Sequence, residues 1–223
     1  MTDLLAHAEG IWQSVVTDLP SFTVEVLPRI DSTNTELMRR ARDGLSEPVL
    51  LAAEEQTAGR GRMGKGWHSK AGQSLTFSLA MPLAPADWSG LSLAVGVSLA
   101  ESLHPDVRLK WPNDLWWQQR KLAGILVETA GSGEGAAAAR TVVIGVGINI
   151  ARPADAAVTG SPAAMAPAGL AELHMGITAG EALARVAPAL VRDVLLFERQ
   201  GFAAFAGRFA QRDALRGMPL RLS

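Results

Sequence analysis

Leu4, Leu5, Ile11, Trp12, Val15, Val16 and Leu19 fall mostly three, four or seven residues apart. That is the spacing of one helix face, which Pro20 should end. Phe22, Val24 and Val26 then alternate as a short strand. Thr33 and Glu36 stand at capping-box spacing and predict a helix through about Arg42. The apolar run at 49–53 reads as a buried strand, and the alternation of Leu75, Phe77, Leu79 and Met81 as a half-buried one.

Leu91, Val95, Leu99 and Leu103 recur every fourth residue, a helix face closed by Pro105. Segments 107–110, 115–117 and 122–127 predict three strands, the last two joined by the polar turn Gln118-Gln119-Arg120. A Gly- and Ala-rich turn at 131–139 leads into a strand at 141–149. Gly145 and Gly147 in that strand are costly unless backbone or ligand must come close. Residues 151–170, rich in Ala, Pro, Gly and Ser, read as a loop. Helical spacing returns over 178–199, Phe202 and Phe209 frame one more helix, and 215–222 resembles the opening of a β-rich module. Strands and helices mixed around one core predict an α+β fold.

Composition narrows the chemistry. The 223 residues are 48% hydrophobic and 19% charged, enough apolar side chain for a sizeable core and too much for intrinsic disorder. With 21 Lys and Arg against 22 Asp and Glu, the net charge of −1 is too balanced for binding driven by the bulk field of a polyanion. Any nucleotide must be held locally. The absence of cysteine excludes disulfides, thiolate catalysis and cysteine-ligated metals. His7, His68, His104 and His174 lack metal-ligand spacing. The first ten residues lack a secretory signal pattern and no run matches a membrane span, so a soluble cytoplasmic protein is expected.

The stretch from Gln56 through Gly59-Arg60-Gly61-Arg62-Met63-Gly64-Lys65-Gly66 to Trp67 carries the most information. It fits both G-x-G-x-x-G and the first seven positions of a P-loop. Both patterns need a helix directly after the glycines, whose N-terminal amides bind phosphate. Here a strand follows, and Gly66 stands where a P-loop has its magnesium-binding Ser or Thr. What remains is a glycine-rich loop with three cations, poor at ordering alone and suited to closing over carboxylate or phosphate. The plainer alternative is a solvated basic loop. Lys110-Trp111-Pro112-Asn113-Asp114 sets an amide and a carboxylate just after a strand, where an Asx-type turn is the plain reading and a metal or ribose contact the functional one. Lys121 begins a strand in which Gly124 lets something approach the backbone; alone it reads as a solubilising edge lysine.

Taken together with Asp31-Ser32-Thr33-Asn34, Lys121 through Glu128, and Gly145 through Asn149, these segments resemble the biotin protein ligases. They span most of residues 31–149, and the glycine-arginine loop and the Lys-Trp-Pro-Asn-Asp run are the specific ones. The resemblance implies a mixed β-sheet flanked by helices, with a catalytic domain over 1–212 and the start of a C-terminal β-domain at 213–223. It also implies an activity. Biotin and ATP form biotinyl-adenylate, and the biotinyl group passes to one lysine of a biotin carboxyl carrier protein. Both reactants of the first step are anionic, so their repulsion must be cancelled by nearby cations.

Position by position, the resemblance implies that Ser32, Thr33 and Gln56 contact the biotin rings, with Asn34 and Gly124 close by. Arg60, Gly61 and Arg62 would close over biotin and the adenylate, Arg60 nearest the reacting groups. Lys121 would bond the carboxylate or acyl-phosphate oxygen. Asn113 and Asp114 would face the nucleotide and Mg²⁺, Asp114 as candidate metal ligand and as helper in deprotonating the carrier lysine. Asn149 and Trp67 fall on the nucleotide side, Trp67 beneath the loop. Met63 stands where the family pattern is commonly basic, and residues 151–176 contain no Trp, Phe or Tyr to stack on adenine. The 31 residues before Ser32 are too few for a winged helix, so no DNA-binding role is expected, and the C-terminal β-domain is expected to be nearly absent. A homodimer through sheet edges is compatible with the resemblance, a membrane partner is not expected. The rival readings are a lipoate or octanoate transferase of the same fold, and a biotin- or adenylate-binding module with little turnover.

Overall fold

The computed structural model describes residues 2–131, 139–153 and 167–217. In chain order the elements are α1 (Asp3–Val15), β1 (Thr23–Leu27), α2 (Thr33–Arg42), β2 (Val49–Ala53), β3 (Gly59–Arg60), β4 (Gly66–Trp67) and β5 (Ser74–Leu83). There follow α3 (Leu91–Leu103), β6 (Arg108–Lys110), β7 (Asp114–Trp117), β8 (Arg120–Ala130), β9 (Arg140–Asn149), α4 (Ala179–Gln200) and α5 (Ala206–Arg212). Seven strands form one mixed sheet in the order β1-β2-β5-β9-β8-β7-β6, with β1 and β2 parallel and the other pairs antiparallel. The expected mixed sheet flanked by helices is therefore present.

Strand alternation divides the sheet into two different faces. Leu75, Phe77, Leu79 and Met81 of β5 and Val142, Ile144, Val146 and Ile148 of β9 all enter the main core beneath α1, α3 and α4. On the other face α2 lays Leu37 and Met38 over Val49, Leu51, Ala80 and Val143. β5 is thus covered on both sides, against the expectation of a half-buried strand: Thr76 and Ser78, 1% and 0% exposed, face an interior site rather than solvent.

Other boundaries shift for local reasons. α1 ends at Val15 rather than reaching residue 19, and Trp12 donates its indole Nε1–H to the Phe22 carbonyl at 3.0 Å. The cap of α2 is Ser32, whose Oγ accepts from the Thr35 amide at 3.3 Å, not Thr33; Glu36 instead pairs with Arg39 and Arg40. α4 does begin with a capping box, Thr178 with Glu181. The helix expected between Phe202 and Phe209 divides into a 3₁₀ turn at Gly201–Ala204 and α5. Beyond it Asp213 bridges Leu109 of β6, and the Ala214 amide donates to the Leu109 carbonyl at 2.8 Å. Most of the turn at 131–139, residues 154–166 of the predicted loop and residues 218–223 of the anticipated β-module lie outside the described residues. Among the described residues no helix is long and apolar enough to cross a membrane.

Candidate active site

The α2 side of the sheet holds a cavity of about 290 Å³ whose floor is made of small residues. Register explains the floor. Thr76 and Gly124 flank Gly147 on its two sides and Ser78 stands beside Gly145, so three neighbouring strands leave a hollow that Leu126, on the other side of Gly145, borders. Each strand glycine is matched by a side chain. A Cβ on Gly145 would stand 2.6 Å from Asn34 Oδ1, and one on Gly147 would collide with the Trp67 indole. The close approach that the sequence demanded at these glycines is supplied by the protein's own side chains.

At one end of the cavity, Gln56 Oε1 accepts from the Thr33 amide at 2.7 Å and is 3.0 Å from the Thr33 hydroxyl. Thr33 Oγ1 also lies 2.8 Å from Ser78 Oγ, so Ser32, Thr33 and Gln56 line a polar, buried end. The segment 59–67 forms a flap over the cavity. β3 and β4 pair, the Gly61 amide donates to the Lys65 carbonyl at 2.7 Å, and the turn at Arg62–Gly64 puts Met63 in left-handed backbone at φ 56°. Trp67 packs beneath this flap. Its Nε1–H lies against Gly147 of β9, buried with no hydrogen-bond partner among the described residues.

The β7–β8 hairpin forms the opposite wall. Asp114 and Lys121 meet across it, Nζ to Oδ1 2.8 Å, and Lys121 Nζ is 5.9 Å from the centre of the Trp67 ring. Asn113 is fixed at both ends of its amide: Nδ2 donates to the Ile125 carbonyl at 3.0 Å and Oδ1 accepts from Arg62 at 3.2 Å. Thus one arginine of the flap is already tied to the wall.

Every segment that builds this cavity lies inside residues 26–149, the span that matches the biotin/lipoate A/B protein ligase family model. The chain belongs to that family. It is 36% identical over 203 residues to a biotin--[acetyl-CoA-carboxylase] ligase of Paracoccus denitrificans, covering 87% of this chain and 82% of the relative. It is 38% identical over 218 residues to the bifunctional ligase/repressor BirA of Escherichia coli (strain K12), covering 94% of this chain but spanning only 65% of that protein's length. Among solved structures it is similar to a biotin protein ligase from Aquifex aeolicus in complex with biotin and ATP, with TM-score 0.64, 27% identity, and 86% of this chain and 78% of that one covered.

Within this family member the expected site residues converge with one exception, Asn149. Ser32, Thr33, Asn34 and Gln56 line one side of the cavity, Gly61, Arg62 and Trp67 its cover, and Asn113, Asp114, Lys121 and Gly124 its far wall. Asn149 does not join them: it is 7% exposed and its Nδ2 donates to the Ala168 carbonyl at 3.1 Å, tying the chain after the predicted loop to β9. Arg60 lines the cavity, but its guanidinium is taken up by Glu128, 3.1 and 3.3 Å from the two carboxylate oxygens, instead of standing free for a reacting group. Glu128 is the residue that sequence reasoning missed. Its signal was the alternation of β8, which places Gly124, Leu126 and Glu128 on one face.

The Lys121 ammonium stands against the Asp114 carboxylate, and among the described residues no three His, Asp or Glu side chains gather in a way that could hold an ion by themselves. A magnesium ion carried by nucleotide phosphates would need only one or two protein carboxylates, and Asp114 is the one on the cavity's far wall. His104 and His174, edge-on at 5.2 Å, lie apart from the cavity.

Proposed function

We propose that this chain joins biotin to AMP and then transfers the biotinyl group to a lysine of a biotin carboxyl carrier protein. The observation that carries the reading is the meeting of a polar end at Thr33 and Gln56 with a cationic wall at Lys121 and Arg62 in one small cavity. A ureido ring offers both N–H donors and a carbonyl acceptor, which suits a pocket end built of hydroxyls and an amide. The small floor and the Trp67 face suit the apolar ring body, and the carboxylate tail would run toward Lys121.

In the first step a biotin carboxylate oxygen attacks the α-phosphorus of ATP, the bond to the β-phosphate oxygen breaks, and pyrophosphate leaves with the electron pair. Two anions must meet. Lys121, held in place by Asp114, lowers that repulsion with a fixed positive charge in a partly dehydrated site, and Arg62 adds a second from the flap. In the second step a neutral lysine amine of the carrier attacks the acyl carbon, AMP leaves from it, and the nitrogen gives up a proton. A closed flap keeps water from the mixed anhydride between the steps.

The test is to mix the protein with ATP, biotin and a carrier domain and to weigh the carrier. The proposal expects a single biotinyl addition that needs ATP, and no addition when octanoate or lipoate replaces biotin. Acylation by octanoate or lipoate in place of biotin would transfer the reading to the sister activity of the family, and stable binding of biotin with no mass gain would make the chain a binding module.

A further inference from the structure

The Arg60–Glu128 pair closes a ring of hydrogen bonds that runs through the pocket floor. Glu128 holds Arg60 with both oxygens, and its Oε2 also accepts from Asn34 Nδ2 at 2.5 Å. Because a carboxylate can only accept, it fixes the Asn34 amide with nitrogen toward Glu128 and oxygen toward β5. Asn34 Oδ1 then accepts from the Ser78 hydroxyl at 3.3 Å, Ser78 Oγ is 2.8 Å from the Thr33 hydroxyl, and the Thr33 amide donates to Gln56. Gln56 precedes Arg60 by four residues in the chain. Both ends of the segment leading into the flap are therefore fastened, one by Thr33 and one by Glu128.

The location of Glu128 sharpens its part. It stands outside the 290 Å³ cavity that Arg60 lines and borders a second, neighbouring hollow that Arg60 and Arg62 also border, and its side chain is only one-quarter exposed. Nothing in the two-step reaction calls for a carboxylate there. We infer that Glu128 is a positioning residue. It fastens the root of the flap through Arg60 and orients Asn34, and thereby the Ser78 and Thr33 hydroxyls, for the biotin end of the pocket. The guanidinium of Arg60 is spent on this fastening, and the flap's reach toward the reacting groups falls to Arg62 and the backbone beside it.

This inference rests on the biotin reading for its kinetic test but not for its structural one. Glu128→Gln keeps shape and one acceptor while removing the charge. It should raise KM for biotin by roughly tenfold or more, the scale of a lost charge-assisted hydrogen bond, while kcat falls less, and it should shorten the lifetime of biotinyl-adenylate on the enzyme. Arg60→Gln should do the same, and the double variant should cost no more than the worse single one, because both act through one pair. Additive losses, or an unchanged adenylate lifetime in both single variants, would overturn the inference. Should Glu128→Gln not fold, Arg60→Gln, altering the exposed member of the pair, decides alone. If wild-type protein makes no adenylate, the functional reading fails, and substrate-free trypsin cleavage after Lys65 then tests the fastening: it should speed up in either variant, and an unchanged rate refutes it.

Discussion

The Trp67 indole occupies the space that a side chain on Gly147 would fill. With the packing of the same indole against Gly124, this contact seats the flap on the floor of the cavity. Gly147→Ala should push Trp67 outward. The overpacking costs about 1–3 kcal/mol, and with half of it felt in binding, biotin affinity falls roughly two- to tenfold. Titration of biotin by calorimetry, beside a melting curve, separates the binding loss from the stability loss.

Asp114 and Lys121 act as a unit across the hairpin. Asp114→Asn should slow adenylate formation about tenfold, because Lys121 loses the charged partner that fixes it. Transfer from preformed adenylate should slow less. Single-turnover assays of the two steps check this, and a loss confined to transfer would assign Asp114 to the acceptor lysine instead.

What could be read from the chain divides along local and distant interactions. Element types and most boundaries followed from periodicity, because the helices and strands each bury a regular face. The half-buried reading of β5 failed because polar residues at alternate positions can face a pocket as well as solvent, and Thr76 and Ser78 do. The cap of α2 was displaced by one residue since the Thr33 hydroxyl is engaged by Gln56 and Ser78, 23 and 45 residues away. Glu128 stayed hidden for the same reason: its partners Asn34 and Arg60 are 94 and 68 positions distant. Asn149 looked like a ligand contact, but the chain after the predicted loop claims its amide.

Glu172 ties the segment after that loop to the start of β8 through Arg120, with contacts of 2.8 and 3.2 Å. Arg120's hydrogen bonds hold the Glu172 carboxyl below its ordinary value of 4.5, outweighing the opposing effect of burial. With the folded value depressed, the stabilisation is full above the unfolded value and is lost as pH falls through the folded one. Protection factors at residues 168–173, that is, the intrinsic exchange rate at each pH divided by the observed rate, should fall on acidification below about pH 4, and Glu172→Gln should remove that acid-dependent part.

Arg212 closes the end of α3. One guanidinium nitrogen lies within 3.4 Å of the carbonyls of Ala100, His104, Pro105 and Val107, the region where a helix leaves its acceptors unpaired. Burial works against its charge and lowers its pKa, yet those carbonyls keep the cation useful. Arg212→Ala should destabilise the protein by about 2 kcal/mol, lowering Tm by roughly 4–8 °C, with little change in activity well below the melting point. Differential scanning calorimetry measures both wild type and variant.

The proposed adenylation needs a positive charge fixed at position 121 while two anions are joined. Lys121→Met removes that charge with little change of bulk, and rapid-quench measurement of pyrophosphate release from biotin and ATP reads the step directly. The rate should fall roughly 10²–10³-fold in a variant whose melting temperature is close to wild type. Release at the wild-type rate from folded Lys121→Met protein would contradict it.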